Sequence, residues 1–481
     1  MLASGPAMRR LLFSALLLAP ALTTGGGPST GDDAVERLIA AGLASDGAYR
    51  KLAYLTDRIG PRLSGSENLE KAVRWTQEEM RRDGIDRVWS EKVMVPHWVR
   101  GVEHGKILAP TEHPMIVMAL GMSDPTPPEG ITAEVVEVAS LEEVKALGDR
   151  AKGKIVLYNK KIFPNGGSDR GYGAGVGLRY SGASEAARVG AVGMLIRSLA
   201  TADLRTPHTG AMAYKDDAPR IPAAAVTPED AELIHRFLAA GEKVRVTFTL
   251  GCKNLPDAPS ANVLAEIRGG EKPEEVVVIG GHLDSWDVGQ GAQDDGAGCT
   301  ISMEAIRLIK ASGRRPKRTI RAVLFTNEEN GLRGGKAYAE THAAELSGHV
   351  AAIESDSGGA RPLGFGVSAG PEALATVTRL AKPLAAFAAD ETTEGGGGAD
   401  ISPMADHGVP QLSLRQDSTH YFDIHHTMAD TLDKVDPHDL AMNATAMAVM
   451  AWSLAELDPP LARYSPPKTE DASKPPGIRR P

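Results

Sequence analysis

The sequence predicts an α/β protein: a mostly parallel mixed sheet flanked by helices, with a strand-rich domain inserted into it. Two textures predict this. From Ala261 onward, apolar β-branched runs alternate with loops and helices, as strands buried on both faces do. From about Glu103 to Cys252 that order gives way to short strands and turns, with helix-led sequence ahead of it. A chain of 481 residues, 42% hydrophobic and 24% charged, has the length for two or three domains.

In chain order, Arg9 and Arg10, a short apolar run and then small polar residues have the layout of a cleaved export signal over residues 1–25. The run falls short of the ~20 apolar residues that span a bilayer, and no Cys follows it to carry a lipid, so no stable membrane anchor is expected. Residues 33–104 form the first part of the main domain. Within them Ser66 to Gly84 is an amphipathic helix, with Leu69, Val73, Thr76 and Met80 on one face, Ser66 as N-cap and Gly84 as C-cap. The insert, 105–252, contains the strands MIVMAL, ITAEVVEVA, GKIVLYN, VGMLIRSL, IPAAAVT and VRVTFTL, with a helix at Ala183 to Gly190. The main domain resumes over 255–457 with NVLAEI, EEVVVIGGH, the helix TISMEAIRLIKAS, RAVLFTNEE, HVAAIESDSGG and PQLSL. Its last helix, Asp439 to Leu457, carries core-packing methionines. The Pro-rich, charged segment 458–481 is expected to be disordered.

A net charge of -9 without a basic run argues against a nucleic-acid partner or an anionic-membrane surface. With Cys252 and Cys299 alone, a cysteine-based zinc finger is excluded, and two separate buried thiols are expected.

In parallel sheets of this kind ligands bind beyond the carboxyl ends of the strands, and there the polar residues collect. His282 ends VVVIG, and Asp284 can accept the second imidazole N–H and orient the ring as a neutral metal ligand. Asp294 and Asp295 follow in a glycine-flanked loop, an acidic cluster that needs solvent or a cation. Glu328 and Glu329 end the next strand. Adjacent residues in a tight turn point apart, so one carboxylate can bind metal while its neighbour acts on water. Asp356 follows a third strand, and His425 and His426 lie beside Asp423 and Asp430. Together these supply enough nitrogen and oxygen ligands for two Zn2+, although Co2+ or Mn2+ fit the same donors.

Other patterns carry less. YGAGVGL lacks the third spaced glycine of a dinucleotide loop, EGGGG reads as a mobile loop, and GASEA lacks the nucleophile-elbow spacing. Tyr421 and Asp400 could contact substrate or make only local hydrogen bonds.

HLDSWD…GAQDDGAG, NEENGLRGG, ESDSGG and YFDIHHTMADT, in this order, resemble the co-catalytic di-zinc exopeptidases of the aminopeptidase type. LTDRIGPRLSGS and the insert, which is similar to a protease-associated domain, extend the resemblance over most of the chain. It implies that His282 and Asp356 hold one zinc, Glu329 and His426 the other, that Asp294 bridges both, and that Glu328 is the general base for a water shared by the metals. His426 precedes Thr427 in the HTxxDT pattern and is therefore preferred to His425, which is expected to point elsewhere and pack. Asp295 is expected to fix the loop, with a cis peptide before it.

The function implied is hydrolysis of short peptides, dipeptides foremost, from the free amino end, by a secreted or periplasmic homodimer. A broader aminopeptidase acting on longer peptides and a catalytically silent peptide-binding relative are the alternatives. A glutaminyl cyclase, usually with one zinc, would not need the insert.

Overall fold

A computed structural model describes residues 31–164 and 167–464. The export signal expected over 1–25 lies outside these residues, as does most of the tail. The architecture is α/β with two eight-stranded mixed sheets. In the main sheet the strand order is Arg87–Val99, Lys253–Ile267, Arg318–Phe325, Lys272–His282, His349–Glu354, Gln411–Gln416, Pro362–Ser368, Glu391–Glu394. The four strands from Arg318–Phe325 to Gln411–Gln416 run parallel, and antiparallel strands flank them. Register matters here: His282 pairs with Phe325, and Gly280 with Glu354. Three parallel strands thus stop nearly level, and the loops that follow them must share one crevice.

Helices bury both faces of this sheet. Ala297–Ala311 and Pro437–Glu456 pack against each other and the sheet, with Met447 and Met450 fully buried. Asp436 caps the latter helix by accepting from the main chain of His438 and Asp439. Helix Glu67–Arg82 has the expected cap: Ser66 Oγ accepts from Leu69 N at 3.2 Å. Leu69, Val73 and Met80 enter the core, and Thr76 joins them by satisfying its hydroxyl on the Ala72 carbonyl.

The second sheet is built wholly from residues 103–250, with its own apolar clusters on either side. Its main helix, Gly173–Arg188, starts ten residues before the expected Ala183 and takes in most of YGAGVGL. Of those glycines, Gly175 serves packing: a Cβ there would lie 2.5 Å from Leu199 and 3.1 Å from Ile162. The edge strand Arg87–Val99 and helix Pro228–Ala239 were not anticipated. Residues 458–464, expected to be disordered, are instead held against the main domain. Asp458 pairs with Lys317 at 2.7 Å, Leu461 is buried, and Arg463 donates to the carbonyls of Leu346 and His349. Cys252 and Cys299 are buried and unpaired. No helix among the described residues is long and apolar enough to cross a membrane.

Candidate metal centre

His282, the last residue of its strand, is almost completely buried. Its Nε2 lies 3.2 Å from Asp294 Oδ1 and 3.4 Å from Asp356 Oδ1. Its Nδ1 meets the Asp284 main-chain carbonyl at 3.0 Å, whereas the Asp284 carboxylate stands 3.9 Å away. Asp284 therefore orients the ring through its backbone. The carboxylate is engaged elsewhere: it accepts from Glu328 N at 3.0 Å, Glu329 N at 3.4 Å and Ser64 Oγ at 3.2 Å, holding the turn that presents both glutamates.

Asp294 sits at the middle of the cluster. Its second oxygen, Oδ2, is 3.1 Å from His426 Nε2, which also lies 2.9 Å from Glu329 Oε2. Asp430 fixes this loop by accepting from the main chain of Ala292, Gln293 and Asp294. The Asp294–Asp295 peptide is cis. Asp295 is tied to protein, its carboxylate accepting from His282 N and Gly298 N. Arg62, whose importance the sequence pattern did not single out, is buried behind the loop and donates to the carbonyls of Gly60, Leu283, Gln290 and Gly291.

The structure thus brings together His282, Asp294, Glu329, Asp356 and His426, with Asp284 beneath the turn that carries Glu328. His425 does not point elsewhere. Its ring stacks on His426, centroids 3.7 Å apart, and so presents Nε2 to the same Asp294 oxygen at 3.2 Å. Unlike His426, it forms no ion pair with Glu329 among the described residues.

Burial pushes the carboxyls of Glu328, Glu329, Asp356 and Asp295 upward. For Asp294 burial acts in the same direction, but His425, His282 and His426 outweigh it and hold the group well below the usual range. No lysine or arginine among the described residues pairs with Asp294, Glu329 or Asp356. Asp294 Oδ2 and Glu329 Oε1 are buried without a hydrogen bond. Carboxylate oxygens left so in a low-dielectric pocket favour a cation. Two overlapping donor groups, His282 with Asp294 and Glu329, and His282 with Asp295 and Asp356, have ligand atoms within 4.8 Å of one another. The centre opens into a cleft lined by Trp286, Val288, Gly289 and Thr427. Beyond it lies a buried acid pair that sequence left unexplained. Glu354, raised to about 7 by burial and then Asp356, accepts from Ile401 N, and Asp400 has no hydrogen bond on either oxygen.

Residues 262–451 match the pattern of Peptidase family M28. Carboxypeptidase Q of Mus musculus is 43% identical over 430 residues, spanning 89% of this chain and 90% of the relative. The chain belongs to peptidase family M28. It is a metallo-exopeptidase, and peptides are its substrates. The crystal structure of a peptidase M28 precursor from Shewanella amazonensis superposes with a TM-score of 0.85 at 39% identity, over 91% of this chain and 99% of that one. A zinc aminopeptidase from Bacillus subtilis shares the fold, with a TM-score of 0.62 at 20% identity over 85% and 94% of the two chains.

Proposed function

We propose that this M28 peptidase is an exported di-zinc enzyme that releases amino acids from the free amino end of short peptides, unblocked dipeptides foremost. His282 and Asp356 would hold one zinc, Glu329 and His426 the other, and Asp294 both. The observation that carries this reading is the placement of Asp294, whose two oxygens face two different histidines, Oδ1 toward His282 at 3.2 Å and Oδ2 toward His426 at 3.1 Å. A carboxylate presented this way could serve two cations, one through each oxygen. The orphaned oxygens of Asp294 and Glu329 fit the same ions, and zinc suits mixed imidazole and carboxylate donors.

Bound zinc supplies a Lewis acid that polarises a carbonyl and acidifies water. The rest falls to the chain's own groups. Glu328 takes a proton from the attacking water onto a carboxylate oxygen and passes it to the leaving nitrogen. Its burial favours the protonated form, which suits a group that must hold a proton briefly near neutrality. Asp284 fixes the turn that carries Glu328 and Glu329.

Dipeptides reconcile two names among the similar proteins, carboxypeptidase and aminopeptidase, because a dipeptide has one bond that is first from either end. The layout of residues 1–25 supports export. We take 33–104 and 255–457 as the catalytic unit, 105–252 as a protease-associated-like insert, and the active form as a homodimer.

The test is amino-acid release from one dipeptide, its N-acetylated form and its C-amidated form, with and without chelator. Chelator-sensitive cleavage that either blocking group abolishes is expected. Equal turnover of the N-acetylated peptide would overturn the reading.

A further inference from the structure

Residues 208–211 of the insert grip the loop carrying His426. Thr209 N donates to the His426 carbonyl at 3.0 Å, and the Thr209 carbonyl faces His426 Nδ1 at 3.4 Å. The ring nitrogen opposite the one facing Asp294 and Glu329 is thus met by the main chain of the insert. Neighbouring contacts point the same way. Thr201 N donates to the Phe422 carbonyl at 3.0 Å, Tyr172 stacks on Phe422 at 4.5 Å, and His208 Nε2 meets His425 Nδ1 at 3.3 Å.

The Thr209 carbonyl is itself held from behind. Thr209 Oγ1 donates to the Ala119 carbonyl at 3.0 Å and accepts from Arg100 at 3.2 Å. Arg100 sits where the chain crosses from the main sheet into the insert. Its guanidinium binds both oxygens of Asp287, at 2.8 and 2.9 Å, within the loop that joins His282 to Asp294, and also donates to Glu103 and the Ala119 carbonyl. Gly210 allows the close passage. Its φ is 136°, and a Cβ there would collide with the Arg179 guanidinium.

We infer that Thr209 is a positioning residue for metal binding: locked by Arg100, it fixes the ring of His426, so that the insert forms part of the zinc site. The inference rests on the ligand set proposed above. Partners on the far nitrogen of a ligating histidine fix its tautomer and orientation, and losing them lowers metal affinity about 10–100-fold. Thr209→Val keeps the shape of the side chain and removes the hydroxyl that anchors the carbonyl. Arg100→Lys keeps the charge but cannot hold Asp287 and Thr209 together.

Zinc affinity of the full chain, measured by competition with a chromophoric chelator, tests this alongside Tm. In Thr209→Val one of two zinc equivalents should bind about 10-fold more weakly, the other should be unchanged, and kcat should recover in excess zinc. Thr209→Ser should restore wild-type affinity. Unchanged affinity for both equivalents with a lowered Tm would overturn the inference, leaving Thr209 as packing. If Thr209→Val fails to fold, Arg100→Lys decides in the same assay. Wild-type protein that takes up no zinc would instead sink the ligand set, and this inference with it.

Discussion

Replacing Glu328 by Gln separates two adjacent glutamates for which different work is proposed. The turn does not depend on the Glu328 side chain, because it is fixed by Glu328 N and Glu329 N donating to Asp284 at 3.0 and 3.4 Å. Gln has nearly the same shape and cannot take up a proton. It also removes a carboxylate whose charged form is disfavoured by burial and then by Asp356 and Glu329, so the fold should not suffer. A positioned general base contributes ~10²- to 10⁴-fold, or about 2.7–5.4 kcal/mol of the barrier at 1.36 kcal/mol per factor of ten. The expected result is a fall in kcat of that size, with KM and zinc content unchanged and Tm equal or higher. Dipeptide turnover beside metal analysis of the same preparation reads all of these. Turnover within about threefold of wild type would refute the assignment. Loss of one zinc equivalent would show that Glu328, rather than Glu329, is the ligand.

Asp294→Asn should lower the zinc content from two equivalents to below one after gel filtration, because its oxygens face both ligand sets. His426→Ala should remove one equivalent and His425→Ala should keep both, since only His426 also reaches Glu329, at 2.9 Å; the same metal analysis checks this. Arg62→Lys leaves buried carbonyls unsatisfied and should lower stability by about 2–4 kcal/mol in urea unfolding. Glu304 bonds to Ser45, Lys51 and Arg307. Burial opposes its ionisation, but Arg307 and Lys51 outweigh that and hold it at about 2 against an ordinary 4.5. The folded value is the lower one, so about 3 kcal/mol of stability is present above pH 4.5 and lost as pH falls toward 2. Glu304→Gln should flatten the stability profile across that window.

The sequence made the parallel strands legible because they are buried on both faces and read as continuous apolar runs. Site residues at strand ends were legible for the same reason: a His or an acid directly after such a run has only the crevice to enter. Asp284 shows where that reasoning thins. Spacing suggested a carboxylate partner for His282, but two residues along an extended chain bring the carbonyl to Nδ1 and leave the carboxylate free to hold the glutamate turn. Arg62 was hidden because its partners are backbone carbonyls, which no sequence pattern displays. His208 and Thr209 were hidden by distance, lying 217 residues from the histidines they touch.

The paired histidines show how local conformation resolves an ambiguity that composition leaves open. Both present Nε2 to Asp294 Oδ2, at 3.2 Å for His425 and 3.1 Å for His426. They differ in backbone and in their far nitrogens. His426 takes a left-handed φ of 57° and turns Nε2 to Glu329, while its Nδ1 faces a main-chain carbonyl, an acceptor that favours the tautomer with Nε2 free for a metal. His425 Nδ1 meets another imidazole, His208, which burial keeps neutral and which can act as donor or acceptor, so that tautomer is not imposed. A ligand needs its lone pair fixed before the ion arrives. With the ligand set proposed, that would be done for His426 by the Thr209 carbonyl, so the segment that looks separable in sequence would decide which histidine binds.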